Sequence, residues 1–176
     1  MWKGYSAMRL FVGISPSDEI RRSLVKAQHF LSRHGITGVA LTPENLHMTL
    51  AFIGEYPEID PVLDAMEEVA FDPFPLTYDH LGTFRESIVW GGTAPSVPLD
   101  ALAKRLRYCL SKADIPFDSG AFTPHFTLLR HADFSRGIPP VDITPVSMTV
   151  HEITLYRSDR GKNGMIYTPV YIVYHP

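Results

Sequence analysis

One four-residue pattern occurs twice in this chain, as His47-Met48-Thr49-Leu50 and again 78 residues later as His125-Phe126-Thr127-Leu128. Each copy lies in a short apolar run, Leu46 to Ile53 and Phe122 to Leu129, that reads as a strand. Alternate residues of a strand point to opposite faces. His47 and Thr49 therefore project together, as do His125 and Thr127, while Met48, Leu50, Phe126 and Leu128 turn the other way and can anchor each strand in a core. Two such hits among eight histidines would arise by chance in roughly one in a thousand sequences of this composition. The repeat thus asks for two equivalent half-buried strands, one in each half of the chain. If a pseudo-dyad relates the halves, both strands face a common cleft.

The rest of the chain supplies the material for such halves. Arg9 to Ile14 reads as a strand, and Ser15-Pro16-Ser17-Asp18-Glu19 reads as a helix start, with serine as N-cap, proline at the first helical position and acids in the first turn. Ile20, Leu24, Ala27 and Leu31 then share one helical face, and Gly35 is a stop. Gly38 to Leu41 is a weak strand. Asp60-Pro61 repeats the capping device before a helix through Leu63, Met66 and Ala70. Phe74 to Phe84 and Ser87 to Trp90 read as a hairpin, and Leu99 to Lys112 as an amphipathic helix. Arg136 to Pro145 is a Pro-rich connection, and Ser147 to Tyr156 and Met165 to Tyr174 are final strands split by a loop, Arg157 to Gly164. Helices stand between groups of strands, which favours α+β with antiparallel sheets over a doubly wound parallel fold. Residues 1–176 read as a single domain, of which 1–7 are expected to be a disordered leader.

The two motifs carry an inventory suited to phosphodiester chemistry without metal. Hydrolysis needs a base to deprotonate water and an acid to protonate the leaving alkoxide, and imidazole is the side chain whose ordinary pKa lies near neutrality. Two of them can hold opposite protonation states. The Thr49 and Thr127 hydroxyls can bind non-bridging phosphoryl oxygens. Arg130 is the nearby cation; strict alternation turns it away from His125, and only a bend in the strand brings it round. Zinc is the rival use of histidine, but there is no His-x3-His and only one cysteine, Cys109, so neither a metal nor any other cofactor is called for. The 16 basic and 19 acidic residues leave a net charge of −3, which excludes a general nucleic-acid coat but not a local positive pocket. Arg157 to Lys162 is the best cationic loop for an RNA backbone. Phe84, Trp90, Tyr156 and Tyr167 read as core or half-buried sheet residues rather than base-stacking platforms. No apolar run approaches a membrane span. A cytoplasmic monomer with no protein partner is expected.

On these residues the chain resembles the two-histidine phosphoesterase superfamily, and within it the LigT-like RNA 2',3'-cyclic phosphodiesterases, also called 2'-5' RNA ligases. The resemblance rests on Arg9 to Leu31, Asn45 to Glu55, Thr123 to Arg130, Leu155-Tyr156 and Tyr167-Thr168-Pro169. It implies a bilobal, pseudo-two-fold α+β fold, with two antiparallel sheets lining a groove and helices outside. It implies hydrolysis of an RNA 2',3'-cyclic phosphate to a 2'-phosphate, with His47 as general acid on O3', His125 as general base on water, and Thr49, Thr127 and Arg130 holding the phosphate. Reversible 2'-5' ligation of tRNA halves is a related activity. The alternatives are a phosphodiesterase for a small nucleotide, such as a 2'-5' oligoadenylate or an ADP-ribose cyclic phosphate, and a non-catalytic RNA-binding module.

Overall fold

A computed structural model describes residues 6–85 and 87–176. The expected leader falls mostly outside them; its last two residues, Ser6 and Ala7, are exposed coil beside the groove described below. The strands are β1 (Met8–Ile14), β2 (Thr37–Ala40), β3 (Met48–Tyr56), β4 (Phe74–Phe84), β5 (Ile88–Thr93), β6 (His125–Asp133), β7 (Val146–Val150), β8 (Glu152–Gly161) and β9 (Gly164–Tyr174). The helices are α1 (Asp18–Arg33), α2 (Asp60–Glu67) and α3 (Val97–Lys112), and Pro43–Asn45 makes one 3-10 turn. Two antiparallel sheets result, of order β3-β1-β8-β9 and β2-β6-β5-β4-β7. The expected α+β architecture of two sheets is present. Among the described residues no helix is long and apolar enough to cross a membrane.

The sheets share one plan. β3, β1 and β8 of the first take the places that β6, β5 and β4 take in the second. α1 and α3 are likewise counterparts, each started by a serine whose hydroxyl accepts from a backbone N–H three residues on: Ile20 N to Ser17 at 3.2 Å, Leu99 N to Ser96 at 3.2 Å. Such caps satisfy donors the first helical turn leaves free. α1 packs on β6, β7 and β2, whereas α3 packs on β3 and β4. Each helix therefore backs a strand that carries one of the two motifs. Met48, Leu50, Phe126 and Leu128 are fully buried beneath them, where each side chain contributes roughly 1.5–3 kcal/mol by leaving water.

Several local readings are corrected. The cap of α1 is Ser17, not Ser15; the Ser15 hydroxyl instead accepts from the Arg21 guanidinium at 3.0 Å. Asp60 is the first residue of α2 and makes no cap, and the helix stops at Glu67. The stretch Ser147 to Tyr156 is two strands in different sheets, parted at His151. A continuous apolar pattern cannot show where the chain changes sheets. Arg157 to Gly164 is mostly strand rather than loop, since β8 runs on to Gly161 and pairs with β9 down to Gly164.

Candidate active site

The histidines are oriented by the backbone two residues before them. Nδ1 of His47 donates to the Asn45 carbonyl at 2.6 Å, and Nδ1 of His125 to the Thr123 carbonyl at 2.6 Å. A carbonyl only accepts, so each Nδ1 carries hydrogen, and Nε2 is the atom left for chemistry. In the neutral His47 ring, Nε2 accepts from the Thr49 hydroxyl at 3.1 Å. Asn45 is itself held against β9, donating to the Met165 carbonyl at 2.7 Å and accepting from Tyr167 N at 3.3 Å.

Matching β-bulges shape both motifs. In β3, Val12 faces Ala51 and Gly13 faces Thr49, leaving Leu50 unopposed. In β6, Val89 faces Leu129 and Trp90 faces Thr127, leaving Leu128 unopposed. An extra residue reverses the alternation beyond it. Leu128 and Leu129 are consecutively buried, and Arg130 emerges on the same face as His125 and Thr127. This is the bend that strict alternation lacked. The equivalent bulge in β3 turns out Phe52, over which the Arg9 guanidinium lies at 4.8 Å.

Two polar side chains hold these bulges from behind, and neither was singled out from the sequence. Gln28 of α1, buried, donates to the Leu128 carbonyl at 3.0 Å and the Leu41 carbonyl at 2.9 Å. Arg107, at the corresponding place in α3, donates to the Leu50 carbonyl at 3.2 Å and the Gly120 carbonyl at 2.7 Å. The available signal was a polar residue bordering each helix's apolar stripe, Gln28 beside Leu24 and Leu31, Arg107 beside Leu106 and Leu110.

His47, Thr49 and His125 open onto two adjoining hollows. His47, Thr49 and Arg130 line a groove of about 880 Å³, together with Arg9, Arg157 and Arg160. His125 lines a smaller hollow of about 140 Å³, and Thr49 and Phe52 line both. Thr127 is half-buried on the His125 face but lines neither hollow. Of the expected cationic segment, Arg157 and Arg160 reach the groove from β8, whereas Lys162 does not line it. Trp90 and Phe84 are half-buried beside His125 rather than in the core. Among the described residues, no three His, Cys, Asp or Glu side chains gather at a spacing suited to a metal ion.

Burial and a neighbouring charge shift both rings toward the neutral form in the free protein. Burial is the largest cause of the fall in the His47 pKa to about 4; the Asn45 bond opposes it, and Arg130 and His125 add to it. The rings of Phe11, at 4.6 Å between centroids, and Tyr167, at 5.0 Å, account for that burial. His125 is also lowered, first by burial and then by Arg130, against the Thr123 bond. Removing a charged imidazolium from water favours the neutral form, and a neighbouring guanidinium does the same. Arg130 acts on both histidines, so one cation serves both motifs.

Comparison with known proteins agrees with this architecture. Residues 16–162 match the family model described as the 2'-5' RNA ligase superfamily. An Escherichia coli protein named RNA 2',3'-cyclic phosphodiesterase is 35% identical over 168 residues, covering 92% of this chain and 93% of that one. A protein of the same name from Archaeoglobus fulgidus is 35% identical over 130 residues, covering 70% and 72%. The crystal structure of E. coli LigT complexed with 3'-AMP superposes with a TM-score of 0.81 at 31% identity, covering 97% of this chain and 98% of that one. By its sequence and its fold, this chain belongs to the 2'-5' RNA ligase superfamily.

Proposed function

We propose that the protein hydrolyses 2',3'-cyclic phosphate ends of RNA to 2'-phosphates, using its two histidines and no metal. The observation that carries this reading is the paired arrangement itself. Two imidazoles from equivalent strands each have Nδ1 tied to a carbonyl, which leaves Nε2 for chemistry, with one arginine bearing on both. Relatives covering nearly the whole chain bear the name of this activity.

In the reaction, the cyclic phosphate anion sits among Thr49, Thr127 and Arg130. Nε2 of His125 takes a proton from water, whose oxygen forms the new bond to phosphorus. The P–O3' bond breaks, and Nε2–H of His47 gives its proton to O3'. The product is a 2'-phosphate beside a free 3'-hydroxyl, with one water consumed. Hydroxyl and guanidinium donors stabilise the charge spread over the non-bridging oxygens. Acid and base lie on opposite sides of phosphorus, as an in-line displacement requires, so the ribose bearing O2' and O3' rests on the His47 side. The arginine-lined groove there offers Arg9, Arg157 and Arg160 to the phosphates that precede the end.

His47 at about 4 is almost wholly neutral at pH 7, and an acid must be charged. The bound anion supplies the remedy by offsetting Arg130 and attracting a proton to Nε2. The deciding experiment is incubation with an oligonucleotide ending in a 2',3'-cyclic phosphate and identification of the product end. A 2'-phosphate supports the reading. A 3'-phosphate reverses the leaving group and the two roles, and no turnover ends it.

A further inference from the structure

His125 takes its aim from a stretch of chain without regular structure. Residues 115–124, between α3 and β6, form neither helix nor strand, and 118–121 are exposed. Yet the Thr123 carbonyl in this stretch holds Nδ1 of His125 at 2.6 Å. The other histidine has a firmer seat. Its carbonyl belongs to Asn45, in a 3-10 turn, whose side chain is tied twice to β9. A carbonyl in an irregular, exposed segment keeps its direction through bonds from outside that segment.

Arg107 supplies such bonds. Its Nη1 donates to the Gly120 carbonyl at 2.7 Å, while its Nε donates at 3.2 Å to the carbonyl of Leu50, the unopposed residue of the β3 bulge. The rings of Phe117 and Phe122, on either side of Gly120 in sequence, lie 5.9 and 5.8 Å from the guanidinium carbon. Asp118 N donates to the Phe52 carbonyl at 2.8 Å, and Gly120 N to the Asp118 carboxylate at 2.9 Å. The segment that leads into the second motif is thereby referenced to β3, the strand of the first. Arg107, Gly120, Thr123 and His125 line the same small hollow.

Gln28 repeats the plan from α1. It joins the Leu128 carbonyl, in the bulge of β6, to the Leu41 carbonyl, on the chain that runs into the 3-10 turn and Asn45. The braces therefore cross. Each fastens the bulge of one motif strand to the chain that leads into the other motif. Bracing a bulge needs one carbonyl; in both helices the second carbonyl lies on the approach to the opposite histidine.

We propose that Arg107 is a positioning residue for His125, fixing the Thr123 carbonyl relative to β3 so that the imidazole of one sheet keeps its aim on the site it shares with the other. A guanidinium suits the task, because its nitrogens are held in one plane and fix two carbonyls at a set spacing. While the Thr123 carbonyl stays in place, hydrogen stays on Nδ1 and Nε2 stays bare to take a proton from water. That catalytic consequence rests on the proposed role of His125; the placement of its ring does not.

The test is Arg107→Gln. A glutamine amide reaches as far as Nε does, so the Leu50 bond is kept and the Gly120 bond is lost. Ring ¹⁵N shifts, read at about pH 8 where both rings are neutral, report which nitrogen carries hydrogen. In the wild-type protein both rings are expected in the Nδ1–H form. In the variant, His125 is expected to move toward the Nε2–H form while His47 stays as it was. With a nucleoside 2',3'-cyclic monophosphate, kcat should fall ~10- to 100-fold, the cost of misplacing a reacting group by about 1 Å, and KM should stay within ~3-fold. Asp118→Ala, a surface change that removes the bond to Gly120 N, is expected to move the same readouts in the same direction, and it carries the test should Arg107→Gln not fold. Unchanged His125 shifts or an unchanged kcat in the folded variant overturns the proposal. So does a His47 that shifts as much as His125, which would mark a general loosening. A wild-type protein inert toward the cyclic phosphate refutes the hydrolase reading instead, and the His125 shifts still decide the positioning.

Discussion

If His47 is the general acid, binding of the substrate anion must drive its protonation, and the size of the effect can be worked out. At a pKa of about 4, roughly one protein in a thousand carries a charged His47 at pH 7. Raising the value to about 7 in the complex requires ~4 kcal/mol of differential attraction for the protonated ring. A unit charge pair ~4 Å apart at an effective dielectric constant near 20 supplies about 4 kcal/mol, so one phosphate anion on Thr49 and Arg130 suffices. The sign follows. Affinity for the anion is greatest where His47 is protonated and falls as pH rises, about tenfold per pH unit between the free and bound pKa values. The assay is titration of a nucleoside 2',3'-cyclic monophosphate, a single-charged anion throughout, into His125→Ala, which lacks the base. Between pH 5 and 7 the affinity should weaken about 50-fold, with close to one proton taken up per ligand at pH 5 and about half a proton at pH 7, as read from calorimetry in buffers of different ionisation enthalpy. The Cε1 proton resonance of His47 should titrate near 4 without ligand and near neutrality with it. A pH-independent affinity, or a free His47 titrating at its ordinary value, refutes the reasoning.

Three other outcomes are expected. Arg130→Leu should lower kcat/KM by ~10²- to 10³-fold, the usual loss for a donor on the transferring phosphoryl group. Because Arg130 depresses both imidazoles, both should titrate higher in that variant; unmoved titrations would show that the guanidinium does not bear on them. Gln28→Leu removes both side-chain bonds that brace the Leu41 and Leu128 carbonyls. It should cost ~1–3 kcal/mol and about 2–10 °C in Tm, with kcat/KM reduced at temperatures where the variant is folded. Full activity there would mean the bulge that aims Arg130 survives without its brace. Excess EDTA should leave the wild-type rate unchanged, since the two rings provide both proton transfers; a chelator-sensitive rate restored by a divalent ion would contradict the mechanism.

The period-two pattern around each histidine was enough to put His and Thr on one face and Met48, Leu50, Phe126 and Leu128 beneath, because strand alternation is a local property of the chain. Apolar periodicity was enough for α1 and α3 and for the span of β4. The rest depended on partners distant in sequence. Arg130 joins the face of His125 only because β6 bulges against β5 at Leu128, and a bulge is a mismatch between two strands that neither displays alone. Trp90 reads as a core or half-buried sheet residue, and only the register shows that it lies half-buried over Gly82. β7 and β8 form one apolar run that tertiary packing divides between two sheets. What stood in the sequence was the chemistry of two imidazoles and the faces they share; what tertiary structure decided was their convergence on one arginine, because strand register and helix packing are settled between segments dozens of residues apart.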